Sequence, residues 1–163
     1  MLSLLALAQS PPPGIGKGWI PEFDHAATQI NALAAATPAD KFGWRPAPGI
    51  RSVSEVYMHI AVGNYFLLGQ AGLKLPADVT SKLKPDTEKT VTAKADVIRW
   101  LKESQDLVRA SYPKFDRQKK VKFFGEDTDV DGVLLRLLVH NHEHMGQSIA
   151  YARTIGVVPP WSQ

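Results

Sequence analysis

Cysteine is absent from the chain. That excludes disulfides, thiolate metal sites and a cysteine nucleophile, so any metal must be held by nitrogen and oxygen ligands. Long apolar runs are missing too, and none approaches the roughly 20 residues of a membrane span. Charge of one sign is not segregated. The net charge is +3, with 19 basic residues interleaved among 16 carboxylates, which argues against a nucleic-acid surface. The densest basic cluster, Arg117-Gln118-Lys119-Lys120-Val121-Lys122, runs into Glu126, Asp127, Asp129 and Asp131 and reads as a solvated loop. No convincing strand is legible; Val121 and Phe123 alternate with lysines, but the stretch is too short to assign.

What is present describes one domain. Hydrophobic residues make up 44% and charged residues 21% of 163 positions, ordinary values for a globular chain able to bury a sizeable core. Residues 1–19 stand apart. Met1 to Gln9 is a short apolar run ending in Ala6-Leu7-Ala8, similar to the end of a secretory signal with its small-residue cleavage site. Either it is a signal lacking its basic start, or an apolar tail that packs on the domain or a partner. Export is preferred to a cytoplasmic location. A Pro/Gly spacer, Ser10 to Gly16, separates it from a helical domain over residues 20–163.

The spacing predicts four helices. The first runs over Pro21–Ala36, with Ile20, Phe23, Ala27, Ile30 and Ala34 stepping by three and four. A connector with three prolines follows, tucked against the bundle by Phe42 and Trp44, and Arg45 in it reads as a surface or carbonyl-bonding residue. Helix two opens at Ser52 with a Ser-x-x-Glu capping box closed by Glu55. Its inward stripe is Val53, Val56, Ile60, Gly63, Phe66 and Leu67. Residues 73–91 form a long polar crossover, with a short helix over 77–83. Helix three spans 93–112, with Val97, Trp100, Leu101, Ser104, Val108 and Tyr112 facing inward. Helix four, capped by Thr128 or Asp129, continues to Ile155, where Gly156 ends it. The fold class is all-α: a four-helix bundle with a long crossover between helices two and three.

Three of the five histidines crowd into Val139–Gln147 on helix four. At about 100° per residue, His140 and His144 share a face, whereas His142 points roughly 200° from His140, toward solvent or a dimer contact. Two imidazoles one turn apart can close on a single metal ion. His59 lies on the apolar stripe of helix two, where a histidine is either a hydrogen-bonded core residue or a third ligand. His25, at the edge of helix one, reads as a partly exposed residue. Glu55 either accepts a hydrogen bond from behind His59 or only closes the cap. Gln147 and Tyr151, one and two turns past His144, either line a pocket or bridge helices. The His-Glu-x-x-His order of metalloproteases is absent, which rejects that reading.

Four stretches in this order resemble the DinB-like (DinB/YfiT) family: Phe42-Gly43-Trp44-Arg45-Pro46-Ala47-Pro48-Gly49-Ile50-Arg51-Ser52; Glu55 to Ile60 around His59; His140-Asn141-His142-Glu143-His144-x-Gly146-Gln147; and Tyr151-x-Arg153-x-x-Gly156-Val157-x-Pro159-Pro160. The resemblance covers about residues 20 to 162. It implies a bundle, usually dimeric, that binds a divalent metal through one histidine of helix two and two of helix four, here His59, His140 and His144. Relatives in the wider superfamily include thiol-dependent transferases and isomerases.

Three nitrogens leave a coordination position open, the pattern of a catalytic rather than a structural site. Together with that open position, the resemblance implies a metal-dependent transferase or hydrolase acting on a small electrophile, with a low-molecular-weight thiol as partner, in detoxification or stress response. Imidazole ligands suit zinc or nickel. The alternative is a non-catalytic, dimeric metal-binding or stress-response protein. Nucleic acid is not an expected partner.

Overall fold

The first long helix, α1 (Trp19–Ala36), leaves Gly18 at a φ of 110°, a conformation glycine adopts without a Cβ penalty. The computed structural model describes residues 14–162, so the signal-like run lies outside the described residues. Pro21 falls in the first turn, where backbone N–H groups have no helical acceptor to lose. The helix begins two residues before it because Trp19 has somewhere to go. Its ring stacks on Tyr112 at 4.3 Å, and its Nε1–H donates to the Leu134 carbonyl at 3.2 Å.

Helix α2 (Val53–Gln70) starts at the expected capping box: Ser52 accepts from the Glu55 N–H, and the Glu55 carboxylate accepts from the Ser52 N–H. It ends at Gly72, φ 95°, where the amides of Gly72 and Leu73 turn back to the carbonyls of Gly69 and Leu68. This satisfies carbonyls that the helix end would otherwise orphan. The crossover contains two short helices, the expected α3 (Ala77–Lys82) and an additional α4 (Thr87–Thr90). Helix α5 (Lys94–Ser111) and helix α6 (Val130–Thr154) complete the four long elements. Asp129 caps α6 by accepting from the Gly132 N–H at 2.9 Å. The architecture is a four-helix bundle, as the periodicity predicts. Among the described residues no helix is long and apolar enough to cross a membrane.

One departure is a hairpin in place of the solvated loop. Strand β1 (Lys120–Phe123) pairs antiparallel with β2 (Glu126–Asp129), Lys120 opposite Asp129 and Lys122 opposite Asp127. Residues 126–129 are mostly acidic and have little intrinsic strand preference. Cross-strand charge pairs, such as Lys122 to Asp127 at 2.8 Å, supply what propensity lacks.

The core forms two clusters. Ala26, Ile30, Tyr57, Ala61, Val97 and Leu101 belong to one. Phe23, Leu68, Val108, Val133 and Leu137 belong to the other. On α6, Leu137 packs in the second cluster and Met145 against the first, so His140 and His144 fall where the clusters meet. A buried polar chain also crosses this level. Asn141 donates to Asn64 at 2.7 Å and Asn64 donates to Ser104 at 3.1 Å, joining α6 to α2 and α5. Buried hydrogen bonds of this kind pin one register between helices, because a slip would break them and orphan their donors.

Candidate metal centre

The side chains of His59, His140 and His144 converge, with one ligand atom from each lying within 4.8 Å of the others. His59 comes from α2 and the other two from α6, with ring centroids 4.5–4.9 Å apart. The Nε2 atoms of His59 and His140 are 3.1 Å apart. Imidazoles sharing a tetrahedral ion at ~2.0–2.1 Å would hold their nitrogens at a similar separation.

The outer nitrogens decide which atoms face inward. His59 Nδ1 lies 2.7 Å from a Glu88 carboxylate oxygen. An ionised carboxylate only accepts, so Nδ1 carries the proton and a neutral His59 turns its Nε2 lone pair to the centre. His144 Nδ1 lies 2.8 Å from Gln147 Oε1, likewise an acceptor. Gln147 Nε2 in turn donates to the Tyr151 hydroxyl, which donates to the Arg51 carbonyl at 3.2 Å. Arg51 Nε also reaches the second Glu88 oxygen at 3.1 Å. A closed circuit through residue 51 therefore ties the outer nitrogens of His59 and His144 together.

His140 is the buried member, and its Nδ1 has no hydrogen-bond partner. Burial, then the neighbouring His144 and His59, push it down to about 4. Burial also lowers His144. Both rings are thereby kept neutral near pH 7, the form that can donate to a metal. Burial alone would raise the Glu88 carboxyl, but the His59 bond and then Arg51 outweigh it and hold it below its ordinary value. Neutral imidazoles with their far N–H groups on a carboxylate and an amide oxygen are the donor set that divalent transition metals take. The residues present fit such an ion.

Gly63 makes the arrangement sterically feasible. A Cβ there would lie 2.4 Å from His140 Cε1, so the imidazole rests against bare α2 backbone.

The remaining expected residues divide. Gln147 and Tyr151 join the circuit. Glu55 does not: its carboxylate serves the Ser52 N–H at 2.8 Å and Arg45 at 3.1 Å. The acceptor behind His59 is Glu88 instead. Burial would raise the Glu55 carboxyl, but the Ser52 amide and Arg45 hold it below its usual value. Arg45 also donates to the Ile50 carbonyl at 2.7 Å. His142 points away from the cluster but is half-buried rather than in open solvent. Its Nδ1 is 3.0 Å from the Leu138 carbonyl and its Nε2 is 3.9 Å from Glu22, because α1 covers that side of α6. Phe66, expected inward, is 44% exposed. Glu88 and Arg51 were not singled out from sequence. Glu88 sits in a polar crossover where nothing local distinguishes it, and only the packing of α4 against α2 brings it to His59.

Glu88→Gln keeps the shape but replaces the carboxylate acceptor with an amide that can present either end. Metal affinity is expected to fall by roughly 10–100-fold, measured by competition with a chromophoric chelator. Unchanged affinity would mean that Glu88 does not orient His59.

The fold and the histidine cluster together define a helical-bundle protein with an open three-imidazole site. Residues 22–148 match the DinB superfamily, and the chain belongs to that superfamily. Among solved structures it is similar to a DinB-like protein from Bacillus cereus ATCC 10987, with a TM-score of 0.73 and 19% identity over 88% of this chain and 95% of that one. It is also similar to the DinB-like protein YjoA from Bacillus subtilis, with a TM-score of 0.68 and 16% identity over 88% of this chain and 96% of that one. A third is YfiT from Bacillus subtilis, described as a probable metal-dependent hydrolase with an unusual four-helix bundle topology. Its TM-score is 0.64 and its identity 12%, covering 92% of this chain and 95% of that one. No match was found among proteins with curated descriptions.

Proposed function

We propose that this protein is a divalent-metal-dependent enzyme that transfers a group to, or hydrolyses, a small electrophilic substrate. His59, His140 and His144 hold the ion. The observation that carries this reading is the outward anchoring of the His59 and His144 Nδ1 atoms on Glu88 and Gln147, which turns their other ring nitrogens toward the cluster, His59 Nε2 meeting His140 Nε2 at 3.1 Å. The description of YfiT as a probable metal-dependent hydrolase supports the same class.

A divalent cation, zinc or nickel, would supply Lewis-acid chemistry at this position. The chain's own residues do the rest. Glu88 keeps the Nδ1 proton on His59, and Gln147 does the same for His144. Gly63 lets His140 approach, and the buried α2–α6 seam limits water around it. A low-molecular-weight thiol is the proposed co-substrate for transfer, in a detoxification or stress-response role. Leu135 and Val139, exposed on the outer face of α6, support a homodimer.

Removal and restoration of the metal test this reading. Purified protein is expected to carry equimolar metal. It should turn over either p-nitrophenyl acetate or a glutathione-type thiol with 1-chloro-2,4-dinitrobenzene. Chelation should abolish that turnover, and zinc or nickel should restore it. Activity indifferent to chelation would refute the assignment; equimolar metal without turnover across a broad panel would leave a non-catalytic binding protein.

A further inference from the structure

Beside the histidines lies a cavity of about 340 Å³, with Val62, Phe66, Leu67, Phe123 and Phe124 among its walls. His59 and His140 also line it. Its charged groups are Glu88, occupied by His59 and Arg51, and Arg136, occupied by Glu143. What remains to meet a ligand is chiefly apolar and aromatic. The volume falls at the lower end of the range for small-molecule sites.

The outer wall breaks a local rule. The two-residue turn of the β1–β2 hairpin is Phe124-Gly125, with φ values of 50° and 89°. Such turns favour Asn-Gly or Gly-Gly, because a bulky residue in the left-handed region is strained. Phe124 is nonetheless there, 79% exposed. Its ring is 4.4 Å from Phe123 and 6.0 Å from Phe66. Neither turn chemistry nor core burial explains a phenylalanine at this tip. Local rules broken without a packing gain concentrate at functional positions.

We propose that this cavity is the substrate's apolar subsite: it takes an aromatic or branched-alkyl group, while the reacting polar group lies at the imidazole cluster. Phe66 and Phe124 form its outer edge and set its preference. The proposal deepens the metal-centre reading and rests on it for where the reacting group sits; the apolar cavity itself does not depend on the ion.

Two probes separate the two ideas. On zinc-loaded protein, benzohydroxamate is expected to bind about tenfold more tightly than acetohydroxamate, the surplus coming from burial of its ring. In the Phe66→Ala/Phe124→Ala double variant, which alters only exposed side chains, that preference should shrink to about twofold. On metal-free protein, indole should shift the amide resonances of Val62, Phe66 and Phe124. Equal affinities for two hydroxamates that both bind through zinc in the wild type, or indole shifts elsewhere, would overturn the subsite. So would loss of a dimer in the double variant with the hydroxamate preference intact, which would assign the rings to a subunit contact. Hydroxamates that ignore zinc, with indole still mapping to Phe66 and Phe124, would sink the metal centre and uphold the cavity.

Discussion

His140→Ala is expected to leave the protein helical and without stoichiometric metal. His140 is the most buried of the three imidazoles, and its ring meets His59 nitrogen to nitrogen. Removing it deletes one donor outright. The loss of affinity should therefore exceed the roughly 10–100-fold that loss of an outer hydrogen-bond partner costs. The fold should survive. Alanine is a better helix former than histidine, and the deleted ring has an orphaned Nδ1, so the apo protein should lose no more than about 1–3 kcal/mol. Elemental analysis after desalting, with far-ultraviolet circular dichroism on the same sample, measures both halves. Retention of equimolar metal would remove His140 from the ligand set.

Gly63→Ala should produce the second large effect, from a single added methyl. Alanine normally stabilises a helix interior by roughly 0.5–1 kcal/mol over glycine. Here the new carbon would lie 2.4 Å from His140 Cε1. The buried ring cannot swing clear without leaving His59. Overpacking at about 1–3 kcal/mol outweighs the propensity gain, so net destabilisation and a clear loss of metal affinity are expected together. Gly69→Ala is the control, since nothing lies within 4 Å of its added carbon on the same helix. It should raise the melting temperature by a few degrees. If Gly63→Ala behaves like Gly69→Ala, the close approach of His140 to α2 is not a real constraint.

The two variants also separate what is legible from residue order and what is not. The pairing of His140 with His144 follows from helical spacing alone, as does the divergence of His142. The capping box at Ser52 and Glu55 is equally local. Glu55 illustrates the limit. From sequence it is either the acceptor behind His59, one turn of α2 away, or only the closure of the cap. In the fold its oxygens are taken by the Ser52 amide and Arg45, and Glu88 comes from 29 residues away. Phe66 illustrates another limit. Its place in the apolar stripe predicts burial, but a hairpin tip rather than a helix lies over it, and the ring stays partly open.

Sequence by itself determined the four long helices, the Ser52–Glu55 capping box, the proline and glycine breaks, the exclusion of thiolate chemistry, and the pair of imidazoles on α6. These depend on interactions within a few residues: hydrogen bonds to the next turn, proline and glycine dihedrals, and a period of 3.6. Tertiary structure alone decided that Glu88 stands behind His59, that Gly63 makes room for His140, that Arg51 closes the circuit to Tyr151, and that Phe124 edges an apolar cavity. Each joins segments whose separation along the chain carries no periodic signal, so only the packing of α2, α4, α6 and the hairpin brings them within reach.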